Sequence, residues 1–206
     1  MKRGFDLVLA VLAALVLLLP LALVALAVRL TSPGPALYWS ERVGRNNRNF
    51  YMPKFRSMRT DTPAVATHLL TDPQRWLTPI GPFLRRSSLD ELPQIWSILK
   101  GDMSFVGPRP ALFNQHDLIA LRTQAGVHHL QPGLTGWAQV NGRDELPIPI
   151  KPGLTGWAQV NGRDELPIPI KVRFDAEYAQ RQSLAFDIKI LWLTALKVLQ
   201  RDGVAH

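Results

Sequence analysis

The stretch that decides the fold is LVLAVLAALVLLLPLALVALAV, residues 7–28, in which every side chain is apolar. At about 1.5 Å of rise per residue, a helix of this length measures about 33 Å, enough for the hydrocarbon core of a bilayer. Pro20 lies within the run, where it removes a backbone donor and clashes with the preceding turn. The sequence therefore predicts a membrane helix with a break or kink between Val16 and Pro20.

Both flanks of the apolar run are basic. Lys2 and Arg3 precede it, and residues 29–59 are rich in Arg and Lys, with Glu41 as their one acid. Basic residues favour the cytoplasmic side, so both ends are drawn to one face of the membrane. A re-entrant helix broken at Pro20 satisfies this better than a straight span.

Two alternatives remain for this segment. One is a Pro-kinked helix that spans the bilayer, and such helices are more common in general than re-entrant ones. The other is a signal peptide cleaved near Ala25-Leu26-Ala27. The apolar run is long for a signal peptide, in which such runs usually measure about 7–15 residues.

The composition fits one compact domain behind the membrane segment. The chain has 206 residues, of which 47% are apolar, so we expect a re-entrant helix over 1–31 and a single cytosolic domain over 32–206. The formal charge of +8 favours partners that carry phosphate. The chain has no cysteine, which excludes disulfides, thiolate catalysis and cysteine-ligated zinc.

Sequence patterns predict an α+β fold that is mostly helical. Residues 36–43 and 49–58 read as the two strands of a short β-hairpin. A short helix is bracketed by a capping box at Ser88 to Glu91 and by Gly101 as a stop. Residues 183–201 form an amphipathic helix that either packs on the core or lies in the membrane interface.

The chain also contains an exact tandem repeat. Residues 132–151 read PGLTGWAQVNGRDELPIPIK, and residues 152–171 repeat this letter for letter. Two copies do not make a solenoid, which needs at least about three units. One copy is extruded as a surface loop, or a copy is exchanged between neighbouring molecules to give a homodimer, or the duplication is recent. The sequence does not assign the native position to either copy.

The acidic pair Asp90-Glu91 is the sharpest local motif. It lies at the predicted start of the short helix, where unpaired N–H groups and the helix dipole favour anions. An aspartate that stays ionised there can attack phosphorus. The simpler interpretation is structural: Ser88 or Asp90 caps the helix and Glu91 completes the capping box.

Basic residues near this pair favour the chemical interpretation. Arg85 lies just upstream, and Arg109 follows within the sequence Gly-Pro-Arg-Pro at 107–110. Guanidinium groups match phosphate oxygens bidentately, and an acid pair can hold a divalent cation beside a diphosphate. Lys54 is a further candidate for phosphate or lipid headgroups. We therefore predict a phosphoryl-transfer site.

Six stretches of the chain are distinctive when they are taken together and in order. They are KRGFD at 2–6, KFRSM at 54–58, RRSSLDELPQIWSILKGDMSFVGPRP at 85–110, PGLTGWAQVNGR at 132–143, FDAEY at 174–178 and DIKILWLT at 187–194. Together they closely resemble the small monotopic phosphoglycosyl transferases, also called the bacterial sugar transferase family. The resemblance covers nearly the whole chain, and Pro20 resembles the proline that breaks the family's re-entrant helix.

The resemblance implies a two-step reaction. An aspartate attacks a UDP-sugar and releases UMP, and polyprenyl phosphate then takes the sugar phosphate from the covalent intermediate. By matching motif positions, Asp90 is the nucleophile and Glu91 its acidic partner, with Mg²⁺ held at both. Lys54, Arg85 and Arg109 match basic positions that bind the substrate's phosphates.

The same resemblance implies the cellular setting. The partners are a UDP-sugar, polyprenyl (undecaprenyl) phosphate and membrane lipid, at the bacterial inner membrane with the catalytic domain facing the cytoplasm. The reaction is then the first membrane step of surface glycan, exopolysaccharide or glycoprotein assembly. The chain departs from the family in having the PGLTGWAQVNGR segment twice, so an intact acidic pair with reduced activity is expected.

Two other function classes compete with the transferase. A membrane-tethered basic binding protein without catalysis predicts that Asp90 is expendable. Binding of nucleic acid is disfavoured, because the aromatic residues do not interleave with the basic ones in an RNA-binding motif. A catalytically dead product of the duplication that still inserts in membranes is the third class.

Overall fold

The computed structural model describes residues 1–63, 72–141 and 167–200, and it is mostly helical with a few short strands. The chain divides into two compact units. The first unit comprises Met1, residues 3–42 and residues 49–103, and the second comprises Lys2, residues 43–48 and the chain from Ser104 onward. The predicted fold class of α and β elements with a helical majority is confirmed.

Helix α1, Lys2–Thr31, is the one described helix that is long and apolar enough to cross a membrane. Its middle is exposed, with Val16 at 75% and Leu19 at 68% of full accessibility. The sequence predicted a break or kink between Val16 and Pro20, and the helix continues through Pro20 without interruption, so a kink there stays a prediction. The re-entrant path itself stays a prediction.

The C-terminal half of α1 packs on a hydrophobic cluster of the first unit. The buried members of this cluster are Val28, Phe55 and Leu84. The partly buried side chains against it are Leu21, Val24, Ala25, Ala36, Leu37, Ile80, Leu89 and Leu92. The C-terminal end of α1 therefore packs against the rest of the first unit.

A β-hairpin follows α1, as predicted. Strand β1, Leu37–Val43, pairs with β2, Asn49–Phe55, and the two are joined by a 3₁₀ turn over Arg45–Asn47. A connection this short allows only antiparallel pairing. Strand β2 ends three residues before the predicted limit at Met58.

Three consecutive short segments surround the acidic pair. They are helix α2 at Gly81–Ser87, a 3₁₀ helix at Leu89–Gln94 and helix α3 at Ile95–Lys100. The predicted stop at Gly101 is confirmed, since this residue ends α3 with a φ of 101°. The predicted capping box is wrong: Ser88 has a φ of 56°, a left-handed conformation, and makes no side-chain cap.

The second unit contains a small parallel sheet and several helices. Strand β3, Ser104–Val106, pairs with β5, Gly133–Thr135, in the register Ser104 to Gly133 and Val106 to Thr135. Between them lie β4, Ala111–Leu112, helix α4, His116–Gln124, and a 3₁₀ turn, Val127–His129. Ala111, Leu118 and Val172 form a buried cluster of this unit.

The C-terminal part of the second unit is helical. It consists of α5 at Trp137–Asn141, α6 at Ile168–Arg181 and α7 at Leu184–Gln200. The predicted helix over 183–201 is thus confirmed as a helix. Phe186 and Ile190 of α7 are buried, whereas Ile188 and Trp192 are 50% and 64% exposed. Its position in the membrane interface stays a prediction.

The described residues draw on both copies of the tandem repeat. Residues 132–141 of the first copy form β5 and α5, and residues 167–171 of the second copy lead into α6. Residues 142–166 lie outside the described part of the chain. The structure thus shows the beginning of the first copy and the end of the second copy, each as part of a regular element of the second unit.

Candidate active site

Two leucines fix the turn that carries the acidic pair. Leu89 and Leu92 lie three residues apart in the 3₁₀ helix, where side chains at that spacing fall on one face. Both pack against the hydrophobic cluster that contains Phe55 and Leu84. The intervening Asp90 and Glu91 project from other faces of the turn, on a backbone that is held by this packing.

Asp90 is a buried carboxyl group, 9% exposed. Burial raises its pKa, and the charge of Glu91 raises it further, while Lys54 and Arg85 lower it. The two cations therefore offset part of the cost of ionising a carboxyl group away from water. A perturbed acid among specific charged partners is typical of functional sites.

Lys54 and Glu91 form an ion pair in this site. Lys54 Nζ donates a hydrogen bond of 2.7 Å to Glu91 Oε1, and both side chains are mostly buried. The contact arises because β2 packs directly on the 3₁₀ helix that holds Asp90. Lys54 therefore contacts Glu91 and lies close enough to Asp90 to lower its pKa. The phosphoryl-transfer hypothesis requires a cation at this position.

Arg85 is held by a residue that the sequence analysis missed. Arg85 Nε donates to Ser57 Oγ at 3.0 Å, and Ser57 is buried. Burial lowers the pKa of the Arg85 guanidinium, and the nearby charge of Asp90 opposes this shift. A serine has no charge and no motif of its own, so only its place within KFRSM could have drawn attention to it.

The structure brings four of the five predicted site residues together. Lys54, Arg85, Asp90 and Glu91 all belong to the first unit, and each of the other three acts on the pKa of Asp90. Arg109 belongs to the second unit, in the segment between β3 and β4. Its side chain is partly buried, and its carbonyl accepts a hydrogen bond from Arg122.

The acidic pair fits the requirements of a magnesium ion. Mg²⁺ in phosphate sites is usually held by one or two carboxylates, with waters and substrate phosphates as the remaining ligands. Asp90 and Glu91 supply two adjacent carboxylates. The described residues contain no cluster of three or more His, Cys, Asp and Glu. Asp90 and Glu91 are therefore the residues that could hold such an ion.

The arrangement suits attack by a carboxylate on phosphorus. Asp90 can act as a nucleophile once it is ionised, and its neighbouring cations favour that form. Lys54 and Arg85 also offer N–H donors to phosphate oxygens. The charged residues that act on the pKa of Asp90 are Lys54, Glu91 and Arg85.

Comparison with known proteins identifies related sequences. The family described as "Bacterial sugar transferase" matches residues 1–149 and 146–201, which together cover nearly the whole chain. Two matching stretches overlap at 146–149, as a chain with a duplicated segment would give.

Three relatives illustrate the range of names. A "UDP-glucose:undecaprenyl-phosphate glucose-1-phosphate transferase" of Xanthomonas campestris pv. campestris is 42% identical over 199 residues, covering 94% of this chain and 38% of the relative. An "Undecaprenyl-phosphate galactose phosphotransferase" of Salmonella typhimurium is 35% identical, covering 98% of this chain and 41% of the relative. An "Uncharacterized sugar transferase EpsL" of Bacillus subtilis is 36% identical, covering 99% and 90%.

The lengths of these relatives differ from that of this chain. The chain spans less than half of the glucose and galactose transferases, and most of the Bacillus subtilis relative. In each case the matched part covers 94% or more of this chain.

Proposed function

Because the chain belongs to the bacterial sugar transferase family, we propose that it transfers a sugar-1-phosphate from a UDP-sugar to polyprenyl phosphate and releases UMP. The names of its relatives, which specify undecaprenyl phosphate and a sugar phosphate, support this substrate class. The proposal places the chain at the first membrane step of surface glycan or exopolysaccharide assembly.

One observation carries the proposal beyond similarity. The buried Asp90 lies among Lys54, Arg85 and Glu91, on a turn whose leucines share a hydrophobic cluster with α1. A site for phosphate chemistry is thus built on the same core as the end of a bilayer-length apolar helix. This juxtaposition suits a reaction between a water-soluble nucleotide and a lipid acceptor.

In the first step, Asp90 Oδ attacks the phosphorus that carries the sugar. A bond forms between the carboxylate oxygen and this phosphorus, and the bond to the bridging diphosphate oxygen breaks. UMP leaves with that electron pair. Lys54 and Arg85 bind the phosphate oxygens. Asp90 and Glu91 would hold Mg²⁺, which would neutralise part of the diphosphate charge when bound.

In the second step, a phosphate oxygen of the polyprenyl phosphate attacks the same phosphorus. The bond to Asp90 breaks, which regenerates the carboxylate and yields a polyprenyl diphosphate sugar. Splitting the transfer in this way is ordinary covalent catalysis. The cations around Asp90 lower its pKa, so they favour it as the leaving carboxylate as well as the nucleophile.

We also propose that α1 enters and leaves the bilayer by the cytoplasmic face. Arg3, at its beginning, donates to the carbonyls of Ile98 and Leu99 at 2.6 and 2.9 Å. At its other end, Val28 packs in the cluster with Phe55 and Leu84. Both ends therefore contact the first unit, whereas the middle of the helix is exposed. A bend at Pro20 reconciles these contacts with a continuous helix.

The test is a UMP-release assay with the full chain in nanodiscs. The protein is given Mg²⁺, undecaprenyl phosphate and a panel of UDP-sugars that includes UDP-glucose and UDP-galactose. We expect release with at least one donor, and a loss of more than about 10⁴-fold in Asp90→Asn, which removes the nucleophile but keeps the shape.

The panel also separates the competing functions. A donor that supports release names the sugar. Release that survives in Asp90→Asn contradicts the covalent mechanism. Silence across the panel, both in this chain and after deletion of one copy of the repeat, favours a membrane-tethered binding protein instead.

A further inference from the structure

Two cations of the second unit hold the backbone at the segment Gly107-Pro108-Arg109-Pro110. Just before the segment, Lys2 Nζ donates to the carbonyl of Val106 at 3.0 Å. Within the segment, Arg122 Nη1 donates to the carbonyl of Arg109 at 2.8 Å. The segment contains the one predicted site residue of this unit.

Backbone hydrogen bonds of the sheet also contact the segment. Gly107 N donates to the carbonyl of Thr135, and Gly133 N donates to the carbonyl of Pro108, each at 2.9 Å. The carbonyl of Val106 accepts from Lys2 and, at 3.2 Å, from the Tyr178 hydroxyl, and the carbonyl of Arg109 accepts from Arg122. Pro108 and Pro110 each fix their own φ, so the segment has few remaining backbone freedoms.

Arg122 is fixed by a buried carboxylate. Its Nε and Nη2 both donate to Asp175 Oδ2, at 2.9 and 2.6 Å. Arg122 is 8% exposed and Asp175 is 1% exposed. The edge of the guanidinium that carries Nε and Nη2 thus binds Asp175, and Nη1 donates to the Arg109 carbonyl. A lysine offers only a point charge and cannot make both contacts from a planar group.

Lys2 is fixed by a second buried network. Its ammonium has three N–H donors and three acceptors within reach, namely the Val106 carbonyl, Asp187 Oδ2 and the Tyr178 hydroxyl. Tyr178 in turn donates to Asp187 Oδ1 at 2.6 Å. Asp187 and Tyr178 are each 1% exposed. The network is closed, so the position of Lys2 is defined.

Helix α6 supports both networks. Asp175 and Tyr178 lie three residues apart on it, and residues at this spacing share one face of a helix. The same face of α6 therefore supplies Asp175, which binds Arg122, and Tyr178, which binds Lys2. The motif FDAEY presents these two residues inward.

We propose that Lys2 and Arg122 are positioning residues that hold the Gly107–Pro110 segment so that the Arg109 guanidinium binds phosphate groups of a nucleotide, with Asp187 and Asp175 fixing the two cations. This inference rests on the proposed function for its ligand. It gives buried residues remote in sequence a role in substrate affinity, in addition to any role in stability.

The experiment compares conservative variants with a matched control. Arg122→Lys keeps the charge but not the fork, and Lys2→Arg keeps the charge but not the three-donor geometry. Thr194→Val is the control, because it removes a 2.8 Å side-chain contact with Thr135 in the same unit and touches neither carbonyl of the segment. Asp175→Asn is added as a stronger change.

Each variant is made in the Asp90→Asn chain and titrated with UDP, and each is also assayed for UMP release in the otherwise unchanged chain. Thermal unfolding of all variants is followed in parallel. We expect the Kd for UDP to rise about tenfold or more in Arg122→Lys and Lys2→Arg, since small misplacements of a binding group have effects of this size. The KM for the donor rises with it, and kcat changes less. The control keeps the Kd and KM of its parent.

The outcomes separate this inference from the proposed function. Unchanged UDP affinity in folded Arg122→Lys and Lys2→Arg overturns the inference, as does a parent chain that does not bind UDP. Weaker UDP binding together with no UMP release from any donor supports positioning and contradicts the transferase. If Asp175→Asn fails to fold, Arg122→Lys decides the question.

Discussion

Lys54 and Glu91, which lie 37 residues apart in the chain, form an ion pair of 2.7 Å that joins strand β2 to the turn carrying Asp90. The two partners have opposite effects on their neighbour, because Lys54 lowers the pKa of Asp90 and Glu91 raises it. The pair thus anchors the turn and also sets how easily the proposed nucleophile ionises.

Replacement of Lys54 tests this electrostatic role. In Lys54→Gln the positive charge that lowers the pKa of Asp90 is lost, so this pKa rises further. Because the ionised form attacks, the acid limb of the pH profile of UMP release moves to higher pH. Loss of the phosphate donor also lowers the rate by at least about tenfold at neutral pH.

The matched control is Lys100→Gln, which breaks an ion pair of 3.0 Å with Asp102 in the same unit. Its pH profile coincides with that of the unchanged chain. A Lys54→Gln profile that keeps its acid limb contradicts the role assigned to Lys54.

Asp90 also affects stability, with a sign that can be worked out. Its pKa is higher in the folded than in the unfolded chain, because burial penalises the charge. Its favourable contribution is therefore fully present below the usual value of 3.8 and is lost as the pH rises through the folded pKa. Asp90→Asn mimics the protonated form, so we expect it to raise the unfolding temperature at neutral pH, with no gain below about pH 4.

Asp61 provides a control of opposite sign for this measurement. Its pKa is lowered by the hydrogen bond from Arg59, so the charged form is the favoured one in the folded chain. Asp61→Asn should therefore not raise the unfolding temperature at neutral pH. Equal gains from both substitutions would show a general charge effect rather than burial of Asp90.

Ser57 orients Arg85, and its hydroxyl can be removed with little change in shape. Ser57→Ala leaves the Arg85 Nε without its 3.0 Å acceptor. A hydrogen bond to a charged group contributes about 1.5–3 kcal/mol, so we expect kcat/KM for the donor to fall by roughly ten- to a hundredfold. Ser87→Ala is the control, since among the described residues the hydroxyl of Ser87 bonds to carbonyls of its own helix, α2, at Phe83 and Leu84. Equal rates in the two variants would remove Ser57 from the site.

Deletion of residues 142–161 tests the tandem repeat. The shortened chain keeps residues 132–141 and 167–171, so every described contact of α5 and α6 keeps its partners. Loop length changes the closure entropy only slowly, by about 0.6 kcal/mol per doubling. We expect the free energy of unfolding to change by no more than about 1 kcal/mol, with UMP release equal or higher.

The same deletion tests exchange of a copy between chains. If the parent is a dimer in detergent through exchange, light scattering should show a monomer after the deletion. A loss of several kcal/mol of stability, or of all activity, would instead show that both copies are needed.

The absence of cysteine makes the path of α1 measurable. Single cysteines at Gly4 and Thr31, near the two ends of the helix, can each be probed with a membrane-impermeant maleimide. For a re-entrant helix, both react in inverted vesicles, whose cytoplasmic face is outward, and neither reacts in intact cells. Ala125→Cys, at an exposed position of the second unit, reports the side of the membrane on which that unit lies. Reaction of one end from each side would identify a spanning helix.

Local patterns predicted the elements whose determinants are local. The apolar run gave a helix from Lys2 to Thr31, alternation and turn residues gave the hairpin, and the left-handed Gly101 ended α3. The acidic pair and its nearby cations were also predictable, because their motif is compact in the sequence. The resemblance named Lys54 as a phosphate-binding residue, whereas its ion pair with Glu91 is a tertiary contact that the sequence did not predict.

Tertiary contacts account for what the sequence did not show. The capping box failed because Ser88 takes a left-handed conformation at the junction of α2 and a 3₁₀ turn, which no spacing rule anticipates. Ser57 meets Arg85 across 28 residues, and Arg122 meets Asp175 across 53. Helix α7 has apolar residues on two faces, but Phe186 and Ile190 are buried and Ile188 and Trp192 are exposed. Which face is buried depends on tertiary packing.

The exact identity of the two repeat copies has a genetic consequence. Removal of any twenty consecutive residues between Pro132 and Lys171 gives one and the same protein, because the period is perfect. An in-frame deletion of one period therefore yields the same single-copy chain wherever in this span it falls. That chain still contains every residue type of β5, α5 and α6 in order.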